Sequence, residues 1–401
     1  MGLHSSRPFH SLHSEYTTVK KEEAKVCLYE EGLATVLDEF CRKAWPQTPQ
    51  PVSPHDLSMA EVRGVGTPRP PTFLFLKGEK AVGHVSTIPV QLWAGGEMRP
   101  AHWLVGFMVL PEFRNGLVGP LLIKEANRRL DIALSLHVES TVLRIMTGLK
   151  WVHKGVIPQY LRILNAIAVM QNLQLSGVDA ISSTRGGVIG IVRSWMQHPL
   201  ARRAAGWGLA MAQSLWVALM CLFRPGLMPH EVVEEEQFDE SYTELWQGVS
   251  SHVQAALVRD QAYLKARYGS KMKRYRLLAC RNGKQLLGYC IIKMKAFEGD
   301  ARMGNMKIGT IVDGLYDPNM PSTWQALLNA ALLRFKQERT DVVLCTASLL
   351  SLRKVLVANG FVSIPGNLNF TYHSRTATPL DQISLESWHL MRGDSDADQN
   401  F

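Results

Sequence analysis

Val109-Leu-Pro-Glu-Phe-Arg-Asn-Gly-Leu-Val-Gly-Pro-Leu-Leu122 decides how the chain is read. The apolar run Gly106-Phe107-Met108-Val109 enters it as a strand and stops at Pro111. A basic, glycine-containing turn follows, Arg114 to Gly119, and an amphipathic helix is expected from Pro120 to Leu130. Strand, glycine-rich turn and helix N-terminus together make a seat for phosphate. The first helical amides lack intrahelical partners, and the positive end of the helix dipole lies there. Glycine lets the backbone approach an anion closely. The same arrangement also serves as a plain strand-to-helix connection, so the flanking sequence has to decide.

The flanks read as a β-meander. Thr72 to Leu76 is a short apolar strand, Gly78-Glu79-Lys80 a turn, Ala81 to Leu92 a second strand, and Ala94-Gly95-Gly96-Glu97 a hairpin turn before Trp103 to Val109. Downstream, Ala133 to Val138 is a strand and Thr141 to Met146 a short helix closed by Gly148-Leu149.

This order, with Arg114 and Gly119 at the first and last positions of an Arg/Gln-x-x-Gly-x-Gly/Ala turn, resembles the GNAT superfamily of N-acetyltransferases. Gly116 comes one place early, and Leu117 occupies the middle glycine's site. The resemblance implies an acyl-CoA cosubstrate. The amides of Leu117, Val118 and Gly119 would hold the pyrophosphate, Asn115 and Gly116 would complete the turn, and Arg114 would add charge. The edge of Phe107-Met108-Val109 would pair with the pantetheine and polarise the thioester. An acceptor amine then attacks directly, which needs positioning, electrostatic stabilisation and a general base. Glu112 and His102 flank the motif and are the candidates for that base; each also reads as an ordinary turn carboxylate or strand histidine. The family's tyrosine, four residues before its Gly-Phe, is replaced by Arg144 and, in the second half, by Leu356. Tyr160 is the candidate substitute.

The pattern recurs. Arg276 to Cys280 and Gln285 to Met294 flank Asn282-Gly283; Met306 to Leu315 is a strand; Ser322 to Lys336 is a helix with Ser322 as its N-cap; Val342 to Thr346 is a strand; and Leu349 to Ala358 is a helix ended by Asn359-Gly360-Phe361. The phosphate turn does not recur: Tyr316-Asp317-Pro318-Asn319-Met320-Pro321 has no glycine or basic residue, and Asp317 would repel a pyrophosphate. The expectation is an α/β (α+β) protein of two GNAT-like units, each a mixed, mostly antiparallel twisted sheet flanked by helices. They occupy 21–165 and 236–388, with a flexible tail over 1–20, a connecting segment over 166–235 and an acidic, solvated tail over 389–401.

Composition agrees with a folded chain: 401 residues, 46% hydrophobic, net charge +9. The basic residues are dispersed, which carries no nucleic-acid module signature. Six cysteines without C-x-x-C spacing read as reduced core residues; Cys345 is a weak candidate nucleophile, and no metal site is expected. His4, His10 and His13 belong to the tail, where Gly2 and Ser6 also fit a myristoylation pattern. Trp45 to Pro71, rich in Pro and Gly, reads either as an acceptor-binding lid or as a plain loop. Residues 204–223 carry no charge and are flanked by Arg202, Arg203 and Arg224. That stretch reads as a buried or interdomain helix first, then as a helix in the membrane interface, then as a span.

The implied activity is acyl-CoA-dependent N-acyl transfer, N-acetyl transfer first, to an amine acceptor. The segment Leu149 to Arg162 resembles bacterial members of cell-envelope or polysaccharide biosynthesis. The alternatives are a Fem-type aminoacyltransferase using aminoacyl-tRNA and a non-catalytic CoA-binding scaffold. The expected location is the cytoplasm, with peripheral contact at the inner face of the membrane through 204–223.

Overall fold

The computed structural model describes residues 23–46, 70–172, 198–224, 226, 231–301 and 303–398. The tail with its histidines and Gly2, and most of the Trp45–Pro71 segment, lie outside the described residues.

The fold is a large mixed α/β sheet flanked by helices. Its strands are β1 Ala24–Leu28, β2 Phe73–Lys77, β3 Lys80–Ala94, β4 Glu97–Val109, β5 Ile132–Ser135, β6 Val152–Ile163, β7 Glu231–Glu235, β8 Ala255–Leu257, β9 Arg276–Asn282, β10 Gln285–Ala296, β11 Lys307–Tyr316, β12 Val342–Thr346, β13 Val362–Ser374 and β14 Trp388–His389. The helices are α1 Ala34–Ala44, α2 Val118–Arg129, α3 Ser140–Gly148, α4 Ala166–Asn172, α5 Pro199–Met220, α6 Ser241–Ser250, α7 Gln261–Tyr268, α8 Pro321–Gln337 and α9 Leu350–Ala358.

The main path of the sheet runs β1-β2-β3-β4-β5-β13-β6-β12-β11-β10-β9-β7. Read from either edge, the order is the same. A hairpin meander leads to a parallel pair, β4 with β5 or β11 with β12. The next strand in space comes from the other half of the chain. β13 pairs antiparallel with β5, β6 pairs antiparallel with β12, and β6 and β13 pair at the centre. The boundaries expected at 165 and 236 therefore do not coincide with any break in the sheet. β7, expected in the connecting segment, is the edge strand on β9.

Turn chemistry places the hairpins where the sequence put them. Gly78, Gly95, Gly96 and Gly283 all adopt positive φ at the expected turns. In the second half, α8 buries Trp324, Leu327, Leu328, Ala331 and Phe335, the expected stripe. It begins at Pro321, one residue before the expected cap Ser322, because proline suits the first helical position. Fully burying a large apolar side chain is worth about 1.5–3 kcal/mol, and Trp103, Trp324 and Trp388 are all fully buried.

Two expectations are corrected. The acidic tail is not solvated: Asp394, Ser395, Ala397 and Asp398 are all buried. Arg259, itself inaccessible to solvent, pairs with Asp313 at 3.0 Å and Asp394 at 2.6 Å. Arg267 pairs with Asp398 at 2.6 Å, and Lys293 Nζ donates to the Asp398 carbonyl at 2.9 Å. The tail's negative charge is thus matched by interior cations of the second half, which offsets the desolvation cost. The apolar helix is also not buried: only 6% of its most apolar window is covered by protein. Of the cysteines, Cys41, Cys280, Cys290 and Cys345 are core residues, Cys27 is half-buried and Cys221 is exposed. Burial pushes the Cys345 thiol up, and it packs in a second core, around α8 and α9.

Candidate active site

β4 and β5 run parallel but pair only at His102 with Ala133 and Trp103 with Leu134. Beyond that point they part. A cleft of about 630 Å³ opens between β4 from Leu104 onward, the exit of β5, and the helices α2 and α3.

The parting begins at a bulge. Ser86 faces Val105 and His84 faces Met108, so Val85 alone stands opposite Gly106 and Phe107. Gly106 takes φ +58°, which a side chain would strain. His84 holds the bulge from behind. It is fully buried, its Nδ1–H donates to the Gly106 carbonyl at 2.9 Å, and its Nε2 accepts from Ser86 Oγ at 3.1 Å. Ser86 in turn meets Thr72 Oγ1 at 3.0 Å. Trp45, which lines the cleft, stands edge-on to the His84 ring at 6.2 Å.

The turn sits at one wall. α2 starts at Val118 rather than Pro120, and its first turn closes with the Leu121 N–H on the Leu117 carbonyl at 2.9 Å. The amides of Leu117, Val118 and Gly119 precede that bond and have no intrahelical acceptor. A Cβ on Gly119 would stand 3.3 Å from the Phe107 ring, so glycine is what lets the helix start lie against β4. Phe107, Met108, Val109, Arg114, Asn115 and Gly119 all line the cleft. Gly116 and Leu117 form the outer tip, with the Leu117 side chain 72% exposed, and Val118 turns into the core. The Arg114 Nε donates to the Val109 carbonyl at 3.0 Å, which fixes its guanidinium at the strand exit.

None of the three expected catalytic side chains lines the cleft. Glu112 sits exposed on the short helical turn Pro111–Phe113. His102 lies where β4 and β5 still pair, and burial pushes its imidazole down. Tyr160 belongs to β6, whose place is set by the strand exchange. It is buried in the second core and accepts from Arg353 Nε at 2.8 Å.

The cleft is lined by Glu139, at the N-cap of α3, and by two further titratable groups that the sequence reading passed over, His137 and Asp396. His137 follows β5 with φ +64° and is exposed at the cleft mouth; partial desolvation and the positive charge of Arg392 push its imidazole down, against the opposing pull of Glu139. Asp396 is carried in by the C-terminal segment that Arg259 and Arg267 anchor through the neighbouring Asp394 and Asp398. No local pattern marks either residue. One is a lone histidine after a strand, and the other is 259 positions beyond it (396 − 137) in an acidic tail.

At the end of β11, the counterpart of β4, side chains meet one another. Tyr316 stacks on Trp324 with ring centres 5.5 Å apart, and Asp317 meets His252 Nδ1 at 3.1 Å.

No family model and no curated protein sequence matches the chain. Solved structures do. A GCN5-related N-acetyltransferase from Anabaena variabilis is similar with a TM-score of 0.55 and 11% identity, over 88% of this chain and 73% of that one. A probable N-acyltransferase from Enterococcus faecalis has a TM-score of 0.55 and 10% identity over the same shares. A Saccharomyces cerevisiae N-myristoyltransferase with bound myristoyl-CoA has a TM-score of 0.52 and 14% identity, over 94% of this chain and 82% of that one. At these identities the likeness is one of fold, and the fold is that of the GNAT proteins.

Proposed function

We propose that the protein is an acyl-CoA-dependent N-acyltransferase. The observation that carries this reading is the coincidence of an unpartnered helix N-terminus with a bulged, splayed strand on one cleft. The helix start offers amides to a pyrophosphate. The bulge on the β3 side is closed by His84, while beyond Trp103 the other edge of β4 has parted from β5 and is open to a pantetheine chain. Among the described residues no cluster of acidic, histidine or cysteine side chains has metal-ligand geometry.

The acceptor amine enters against the thioester carbonyl and must lose a proton. The candidates for that role are the proton-accepting side chains that line the cleft, His137, Glu139 and Asp396. A histidine pushed down stays an available proton acceptor to lower pH than an ordinary one, so kcat/KM supported by His137 should fall only on the acid side of the usual histidine range. Attack forms the C–N bond, breaks the C–S bond and releases CoA. The thiolate takes up a proton from solvent or from the protonated base.

The fold neighbours support acyl transfer in general. The finer reading, an amine of a cell-envelope or polysaccharide precursor as acceptor, rests on the Leu149–Arg162 resemblance and sets the first acceptors to screen. The test is release of free CoA from acetyl-CoA and longer acyl-CoAs with such amines, on wild type, His137→Gln, Glu139→Gln and Asp396→Asn. Turnover lowered about 10²-fold or more in one variant names the base. Acyl-CoA binding without turnover would leave a CoA-binding scaffold. Thermal protection by tRNA in place of CoA would favour the aminoacyl-tRNA reading.

A further inference from the structure

α5 is the least explained element of the fold. It is 22 residues long, about 33 Å by helix rise. Trp207, Met211, Leu215 and Leu219 recur every fourth residue and are all more than half exposed, and Leu222 and Phe223 extend the same apolar surface. Exposed large apolar side chains in a contiguous stripe mark an interaction surface.

The opposite face is fixed to the body along its whole length. Arg202 Nη1 donates to the Gln171 carbonyl at 2.9 Å, Gln213 Nε2 to the Gly360 carbonyl at 3.1 Å, and Arg224 Nε to the Ala358 carbonyl at 3.3 Å. A Cβ on Gly360, whose φ is +78°, would stand 2.4 Å from Val217 Cγ2, so this glycine lets the helix lie down. A helix tied near its start, in its middle and just beyond its end is held along the body rather than free to stand up across a bilayer. It lies flat, with its apolar stripe outward.

Behind that stripe is a second cavity, of about 480 Å³, walled by α5 residues such as Val217 and by Leu164. Its charged lining is Arg162, Arg224 and Lys336, and no carboxylate shares it. Arg162 is 9% exposed, and its Nε has no hydrogen-bond partner. Burial, reinforced by Arg224, pushes the Arg162 guanidinium down to about 10, still cationic at neutral pH. Arg162 Nη1 donates to the Asn359 carbonyl, and with Arg224 and Lys336 it gives the cavity wall three cations that no lining carboxylate offsets, a setting that favours an anion. From Pro199 to Arg224 the chain carries three arginines and no acidic residue.

We infer that α5 seats the protein flat on an anionic phospholipid surface, with its apolar stripe at the acyl boundary and a lipid phosphate held by Arg162, Arg224 and Lys336. Charge selects this occupant over a neutral membrane, and the joint presence of an apolar stripe and an anion pocket on one helix matches a phospholipid's two ends. The inference stands apart from the acyltransferase reading, because none of these residues lines the catalytic cleft.

The test is co-sedimentation of the full chain with phosphatidylcholine vesicles and with phosphatidylcholine–phosphatidylglycerol vesicles at low salt. Two variants are compared: Leu215→Glu with Leu219→Glu, and Lys336→Ala. Those side chains are exposed, and an unchanged thermal midpoint confirms folding. The expected result is binding to the anionic vesicles only, lost in the double variant and weakened about fivefold in Lys336→Ala. Inorganic phosphate should compete for the pocket and lower, without abolishing, vesicle binding. Protein left in the supernatant, or bound equally to neutral vesicles, overturns the inference. So does a stable dimer in sedimentation equilibrium that the double variant dissociates, since a second copy would then be what covers the stripe.

Discussion

His84 donates its Nδ1–H to the Gly106 carbonyl oxygen at 2.9 Å, inside the sheet and directly behind the point where β4 bulges. The bond satisfies a carbonyl that the bulge has taken out of the ladder, and it joins the bulge to Ser86 and Thr72. His84→Ala should remove it and leave the carbonyl buried and unmade. The expected loss is about 1–3 kcal/mol of unfolding free energy in urea. kcat/KM should fall further than stability explains, because β4 would no longer be held open at the cleft. Unchanged stability would mean that strand pairing alone shapes the bulge.

Gly119 is the tightest point of the turn. Gly119→Trp adds a ring where even a Cβ would stand 3.3 Å from Phe107 and 3.9 Å from Ile145 Cδ1. Wild-type protein should show a rise in thermal midpoint with acetyl-CoA or a longer acyl-CoA, and the variant should show none. A variant that keeps the full shift would place the nucleotide elsewhere.

The C-terminal segment is held by interior charge. Arg267→Met leaves Asp398 buried without its 2.6 Å partner, although Tyr275 and Lys293 still reach that residue. Breaking one side of a buried pair typically costs about 3–5 kcal/mol. Chemical denaturation should read that loss. Turnover at temperatures well below unfolding should fall as well, because Asp396 loses its mooring.

Acid should destabilise the fold through buried histidines. His389 is enclosed on β14, and burial, reinforced by Arg259, pushes its imidazole well down. Its folded pKa therefore lies below the unfolded value of about 6.5. Above that pH neither state binds the proton, and the stability is fully present. As pH falls through about 6.5 the unfolded chain takes up a proton that the folded chain refuses, and stability drops. His389→Leu should flatten the fall in thermal midpoint between about pH 7 and pH 5. His102, His137 and His373, also pushed down by burial, should keep part of the slope. An unchanged slope would acquit His389.

The meander, the turn and the helix after it were legible because their signals are local. Gly95-Gly96 and Asn282-Gly283 announce hairpins, and Leu122, Ile123 and Ala126 lie on one helical face. β6 was not legible as a central strand. It carries Lys154, Gly155, Pro158 and Arg162, and a proline inside a strand argues against central placement. The structure accommodates Pro158 just outside the β12 pairing, which spans Gln159 to Ile163, and opposite a register shift of β13 between Ile364 and Leu368. The expected catalytic side chains lie off the cleft for a related reason. His102 and Glu112 are near the motif in sequence, but the cleft is completed by residues that arrive through long-range topology, Asp396 above all. Sequence proximity finds a glycine-rich turn at a helix start, which is built from consecutive amides. It does not find a proton acceptor, which any element can deliver.

The exchange of β6 and β13 also dictates an order of events. The first 165 residues contain β6 but neither of its neighbours, β12 and β13. Until residues 342–374 exist, β5 presents a bare edge and β6 has nowhere to pair. Each end of the sheet can assemble from nearby hairpins, whereas its middle waits for contacts across about two hundred residues, the slow kind of pairing. Bare edges invite pairing with other chains. During synthesis the vulnerable surface is therefore the centre of the finished sheet. The second half, which lacks the glycine-rich turn, is indispensable as the part that closes the first.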